Sequence, residues 1–540
     1  MLFQLAGELN LKMAELRELD DQIFDLYSRL NGSYDHEKEL YIPSEKNRRT
    51  ILNEIEDLKL EVKRVGESLE NDVWIQHLRD LLDGMEATIL EDSRHPSKHL
   101  RSFGYSIIKT LEEEERKPEE KAEVLISKLS ESQLFFEQVG KLCSTATDSR
   151  TERAITVAKN MQADFTFFTR IVESWLKDEK SEQTKKLYQQ LIEKFNKLKE
   201  YALDFISDTS STKTQRKKII GDIPYGELLD KRYGVPLPWI LTWYEDELNH
   251  AKEKVKELAS KLDPTKTPIE VLRERIHYPY NSPEEMFKAM EEFLKIAKEK
   301  GKWYLDFPEG ESCRVIGLKE MEKDVYPMGH SGGPDPITGG MTHTVALNQY
   351  NLRAFTKGWL MMMAIHEAYY GHNIQWIKIA EANLPKTFKI DGGKEVPLVE
   401  GLALRGEELL QHIYGDEAFP LFVAWRRLQT ALRVYIDIGL FHLKTMESKD
   451  AERLYQDVMN FDEQTSKGLV EAHLESRGYF VCYLAGYKMI KELREKTRME
   501  EKEVSNKLFS AGFVSMKCIE ILFGIKGAST WESCSQKLDD

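Results

Sequence analysis

The sequence predicts a mainly α protein with one small β element, and three observations carry that expectation. Apolar residues recur at three- and four-residue spacing among Lys and Glu along most of the chain. Convincing strand patterns are confined to two short β-branched runs, Glu311–Leu318 and Thr342–Asn348. Hydrophobic residues are 41% of the 540, against 31% charged, which supplies a large core and a solvated exterior.

Helical periodicity covers 5–32, 44–72, 74–92, 95–116, 118–145, 148–179 and 181–208. It predicts a stack of long antiparallel helices in an amino-terminal region, 1–215. LEEEERKPEEKAE reads as a solvated helix–turn–helix face, and Thr209–Lys218 as a polar link. Gly and Pro in GDIPYGELLDKRYGVP mark the start of a second region, 216–540. Helices resume at about 236–261, 267–276 and 283–300. The two strand runs bracket a Gly/Pro loop, GHSGGPDPITGG.

Composition narrows the function classes. A net charge of −15 argues against a nucleic-acid surface. No window approaches the roughly 18 apolar residues of a membrane span. The first residues, MLFQLAGELNLKMAELRELDDQ, turn acidic at once, so no signal peptide is expected. Cys143, Cys313, Cys482, Cys518 and Cys534 are scattered without a C-x-x-C, which suggests reduced thiols and a cytoplasmic protein. The oligomeric state is open.

The segment Met361–Trp376, MMMAIHEAYYGHNIQW, carries the chemistry. His366 and His372 are candidate zinc ligands, and Glu367 sits where a general base would. Histidines four apart lie about 40° apart around a helix; six apart, they lie about 240° apart and diverge. The helix must therefore distort or end at Tyr370–Gly371, and Gly371 tolerates such a backbone. The alternative is a buried helix with two satisfied histidines. In VEGLALRGEELLQ, Glu400 stands among apolar residues, where a carboxylate needs a partner or a metal. It is the candidate third ligand; Glu407, two turns on, is the next, and a surface capping role for Glu400 stays open.

HEAYYGHNIQ, EGLALRGEEL, LRVYIDIGLFH and YFVCYLAGYKMIKELRE occur in that order. They resemble the four motifs of the family called domain of unknown function 885: H-E-A-x-P-G-H-H-x-Q, E-G-W-A-L-Y-x-E, R-x-x-x-D-x-G-x-H, and Q-A-L-S-Y-x-x-G with a basic amphipathic helix. Weaker likeness reaches back to YGELLDKRYGVPLPWILTWYEDELNHAKEKV. The resemblance implies a large helical zincin-like fold with a deep cleft and a small β element near the metal helix. It implies kinship with helical carboxypeptidases and oligopeptidases. This chain departs from the pattern at Tyr370 (Pro in the motif), Asn373 (His), Leu402 (Trp), Arg405 (Tyr) and Arg477-Gly478-Tyr479 (P-G-Q). With Tyr370 in place of Pro, the distortion would rest on Gly371 alone.

The expected roles follow. Zn2+ held by His366, His372 and Glu400 would polarise a water. Glu367 would take its proton and pass it to the leaving amine. Tyr483 is the first choice for the oxyanion donor and Tyr479 the second, a placement the resemblance to helical zincins supports. Asp437 would pair with Arg433 four residues away or orient a ligand histidine, and Glu407 would stand behind the ligands. Arg426 and Arg433 share a helix face; they would bind a substrate carboxylate or form an ordinary salt-bridge face. Zincins commonly hold substrate against an edge strand, so Thr342–Asn348, ending at Asn348, is the candidate for that edge, with a small structural hairpin as the alternative. The reading is a zinc-dependent peptidase of short peptides. The alternatives are a metal-dependent amidase of a non-peptide substrate and a non-catalytic helical scaffold with a relic site.

Overall fold

The computed structural model describes residues 2–67, 73–92, 95–112, 116–211, 223–318, 329–525 and 529–531. Residues 113–115 of the charge run, 212–218 of the polar link, and Cys534 lie outside them. Helix takes 74% of the described residues and strand 4%, the mainly α class the periodicity predicts. The described cysteines, Cys143, Cys313, Cys482 and Cys518, are free thiols. Among the described residues no helix is long and apolar enough to cross a membrane.

The chain forms two compact units, Met1–Glu67 with Met85–Pro224, and Ser68–Gly84 with Tyr225–Asp540. The first holds α1 (Leu2–Asn31), α2 (Glu45–Gly66), the end of α3 (Val73–Asp92), α4 (Pro96–Glu112), α5 (Pro118–Lys128), α6 (Ser132–Cys143), α7 (Asp148–Asp178) and α8 (Glu182–Ser211). The single helix expected over 118–145 is two. A 3₁₀ turn at Leu129–Glu131 separates them, and Ser132 Oγ there donates to the Leu129 carbonyl, competing with the helical ladder. Three residues join α7 to α8, so the two run antiparallel. Phe103, Phe135, Phe136, Phe165, Phe168 and Phe195 fill this unit's core.

The second unit contains the start of α3, which the sequence reading kept with the amino-terminal region. Asp80 explains its place: it accepts from Ser515 Oγ at 2.6 Å and faces Lys394 Nζ at 3.3 Å. After it come α9 (Tyr225–Tyr233), α10 (Leu237–Leu241), α11 (Tyr244–Leu262), α12 (Pro268–Arg275) and α13 (Pro283–Gly301). Thr267 and Glu270 close a capping box on α12; Ser282 caps α13, with Pro283 at its first position.

Three strands follow, β1 (Ser312–Gly317), β2 (Gly329–Gly332) and β3 (Thr342–Leu347), in the order β1-β3-β2. β1 runs parallel to β3, with Ser312 opposite Thr342; β2 runs antiparallel to it, with Gly329 opposite Leu347. This corrects the expected substrate edge, because β3 is paired on both sides. The strand nobody would read from β-propensity is β2, inside the Gly/Pro loop. Gly329 makes it possible: its φ is +103°, and a Cβ there would lie 2.1 Å from the Ala346 carbonyl oxygen.

The remaining helices are α14 (Lys357–Met363), α15 (His372–Glu381), α16 (Val396–Leu409), α17 (Phe419–Asp437), α18 (Ser448–Met459), α19 (Glu463–Glu475), α20 (Tyr479–Lys496), α21 (Glu501–Phe509) and α22 (Met516–Phe523). Leu360, Ile365, Leu398, Leu402, Phe422, Leu432, Val481 and Leu484 knit α14, α16, α17 and α20 into one core. α16 and α20 cross with their backbones in contact. A Cβ on Gly401 would lie 2.5 Å from the Gly486 carbonyl carbon, and one on Gly486 would lie 1.8 Å from the Pro397 oxygen. Only glycine allows that approach, and it brings Glu400 of α16 beside the tyrosines of α20.

Candidate metal centre

Thr356 caps α14 through its Oγ1, and the helix then widens into a π-turn at Ala364–Ala368 that carries His366 and Glu367. The chain leaves the helix at Tyr369. Tyr370 takes the left-handed conformation, φ +79°, and Gly371 is extended, with α15 starting at His372. The expected distortion is present, but it does not rest on Gly371 alone: Tyr370 makes the left-handed turn. Gly371 serves close packing instead, since a Cβ there would sit 1.9 Å from the His366 carbonyl oxygen. The break turns the histidines towards each other, with ring centroids 4.9 Å apart and planes at 90°.

Glu400 completes the group. One ligand atom from each of His366, His372 and Glu400 lies within 4.8 Å of the others. Glu400 Oε2 is 3.6 Å from Nε2 of both histidines. Two donors each about 2.1 Å from a tetrahedral zinc stand roughly 3.4 Å apart, so this spacing fits. Glu400 Oε2 is buried without a hydrogen-bond partner, the state of an atom reserved for a cation. Two His nitrogens and one carboxylate are also the donor set of a catalytic zinc site that keeps a position for water.

The surroundings hold this arrangement. Glu407, fully buried, meets His366 Nδ1 at 2.8 Å and so presents Nε2 to Glu400. Tyr479 donates its hydroxyl to Glu400 Oε1 at 2.5 Å. Burial pulls the His366 pKa down, yet the carboxylates of Glu400 and Glu407 beside it outweigh that and hold it at about 10. Burial raises Glu400, but His366 and the charge of His372 bring it to about 2. His372 is lowered, because burial there exceeds the pull of Glu400 and Glu367. The pocket thus favours positive charge between these groups.

Glu367 Oε2 accepts from Ser331 Oγ of β2 at 3.0 Å. Sequence reasoning missed Ser331; its signal was the Gly-rich GHSGG run, which lacks the β-branched residues that mark strands. Tyr483 stacks at 6.3 Å from the His366 ring, with its hydroxyl 3.4 Å from that of Tyr479. Tyr479 is engaged by Glu400, so Tyr483 remains the freer donor.

Other expectations are corrected. Asp437 does not orient a ligand histidine and does not pair with Arg433. It meets His473 Nδ1 and accepts from Tyr225 Oη at 3.0 Å and from Gly478 N at 2.8 Å. Fully buried, it anchors the start of α20 instead. Asn348 lies just past the end of β3, buried, and accepts from Tyr350 N at 3.1 Å in a turn. Arg426 and Arg433 are both buried on α17. Arg426 Nη2 stands 3.9 Å from Glu407, and the Arg433 guanidinium 5.6 Å from the Tyr483 ring.

No curated protein matches the sequence. Several solved structures share the fold, these two among them. One, from Colwellia psychrerythraea and described as a "putative lipoprotein", has a TM-score of 0.79 at 16% identity, over 95% of this chain and 99% of that one. The other, a "putative lipoprotein of unknown function" from Shewanella oneidensis, has a TM-score of 0.70 at 17% identity, over 95% and 98%. The family model for "Bacterial protein of unknown function (DUF885)" matches residues 28–520, and the chain belongs to that family.

Proposed function

We propose that the protein is a zinc-dependent hydrolase that cuts amide bonds in short peptides, with a zincin-like cleft around its metal ligands. The observation that carries this reading is the His366–His372–Glu400 cluster, with Glu367 beside it and Glu407 behind it. Zinc bound there supplies Lewis acidity towards water and the scissile carbonyl. The chain's own groups do the rest. Glu367, fixed by Ser331, accepts the proton of the attacking water and delivers it to the departing amine. Tyr483 donates to the oxygen on which negative charge develops. Glu407 and Tyr479 hold His366 and Glu400 in place. β2, an edge of the sheet that touches Glu367, is suited to pair with an extended peptide. Free thiols at all four described cysteines support the cytoplasm as the compartment.

The test is elemental analysis of protein purified without added metal, followed by digestion of a peptide library read by mass spectrometry. One zinc per chain and cleavage of short peptides are expected. Absence of zinc after attempted loading sinks the reading; bound zinc with no peptide cut moves it to a non-peptide amide.

A further inference from the structure

α17 carries Arg426 and Arg433 two turns apart, 4% and 9% exposed. Arg426 donates from Nη1 to Gln429 Oε1 at 2.5 Å and lies over the Trp359 ring at 4.7 Å. Its closest carboxylate oxygen, on Glu407, is 3.9 Å away and already engaged by His366. Arg433 rests against Phe480 at 4.6 Å and Tyr483 at 5.6 Å and meets the Tyr455 hydroxyl, and among the described residues no carboxylate lies within ion-pair distance of it. Nε of both arginines is buried without a hydrogen-bond partner. Asp437, the carboxylate one turn along, is taken by His473, Tyr225 and the Gly478 amide.

Two buried guanidiniums with so little counter-charge are costly, and their cost falls when an anion arrives. The charges point the same way. A bound zinc and the two arginines would bring four positive charges to this neighbourhood, against three negative ones from Glu367, Glu400 and Glu407 and a fourth from Asp437 that His473 takes up. Tyr483 joins the two places: Arg433 is 5.6 Å from its ring, and the His366 ring stacks on it at 6.3 Å. An anion on the arginines would therefore sit one short step from the bond under attack. Guanidinium recognises carboxylate as a planar, two-pronged partner.

We infer that Arg426 and Arg433 bind the free α-carboxylate of the substrate, so that the protein removes residues from the carboxyl end of short peptides. The inference rests on the hydrolase reading above. In each turnover the amide C–N bond breaks and the water oxygen joins the carbonyl carbon. The water proton reaches the released amine through Glu367, and the fragment held by the arginines leaves with its carboxylate intact.

The experiment uses a tripeptide library prepared twice, as free acids and as carboxamides. Both are offered to the zinc-loaded Glu367→Gln protein, and retained peptides are read by mass spectrometry. Free acids should be held about tenfold to a hundredfold more tightly than their amides, the range of a charged hydrogen-bonded contact. That preference should vanish in Arg433→Gln and in Arg426→Gln. If either variant fails to fold, the acid–amide comparison on the protein with both arginines decides alone. Equal retention of the two sets, retention of neither, or retention only of peptides carrying Asp or Glu side chains overturns the assignment. The hydrolase reading is judged separately, with Glu367 in place. Free acids bound but never cut would sink hydrolysis and keep the carboxylate site; acids and amides cut equally well would do the reverse.

Discussion

Arg405 donates from Nη1 to the hydroxyl of Tyr370 at 3.3 Å. Both residues depart from the family motifs, one in each of the two segments that carry the candidate ligands, and the fold brings them together. Tyr370 Oη also meets Ser505 Oγ at 2.7 Å, and Arg405 forms an ion pair with Glu501. These contacts, with full burial of the ring, offset a left-handed backbone that costs a non-glycine residue about 1–3 kcal/mol.

Arg405→Met should therefore weaken the metal segment. A loss of about 1–3 kcal/mol is expected, because Tyr370 keeps only Ser505 and Glu501 loses one of its two cations, keeping Arg494; it would be read as a lower urea midpoint. Tyr370→Pro should be worse, because proline fixes φ near −65° where this chain holds +79°. A proline variant as stable as the parent would show that the left-handed turn is not required.

Glu407→Gln should keep zinc but hold it about 10- to 100-fold more weakly, as loss of a residue that orients a ligand histidine does. His366→Ala and Glu400→Ala should abolish binding. Competition with a chelator measures all three, and undiminished affinity in Glu400→Ala would remove it from the ligand set.

The catalytic roles separate by variant. Glu367→Gln should retain zinc and lose about two to four orders of magnitude in rate. Tyr483→Phe should retain zinc and lower kcat about 10²- to 10³-fold. Tyr479→Phe should instead loosen zinc, since it removes the donor to Glu400. Normal turnover in Tyr483→Phe would transfer the oxyanion role elsewhere.

Glu395 predicts a pH dependence away from the centre. Burial, with the charge of Asp391, raises its pKa to about 7, and its Oε2 has no partner. A carboxyl raised on folding holds its proton longer folded than unfolded. Stability should thus fall as pH rises from the ordinary carboxyl range to about 7, then level off. Glu395→Gln should flatten that slope and gain about 2–3 kcal/mol at pH 8. Parallel denaturation curves for parent and variant across pH 4.5–8 would contradict it.

The meeting of His366, His372 and Glu400 was legible because residue type and spacing point to shared chemistry. A His-Glu pair, a glycine, a second histidine and a carboxylate in an apolar helix have few satisfactory structural uses. Asp437 was misread for a definite reason. Its four-residue spacing from Arg433 suggests a local pair, but His473 and Tyr225, remote in sequence, claim it. The edge of the sheet was misplaced because β2 is built of Gly, His and Ser, and pairing at Gly329 depends on space rather than propensity. The crossing at Gly401 and Gly486 left no periodic signal either: a missing Cβ shows its purpose only against the backbone it admits.

The break at Tyr369–Gly371 puts the two histidines on different rods. His366 moves with α14 through the π-turn; His372 moves with α15, which packs on α21. A cation held by both is then a rivet across a joint, not a bead on one helix. Its grip would depend on the angle between the rods, so a substitution in α21 that shifts α15 should reach the centre through His372.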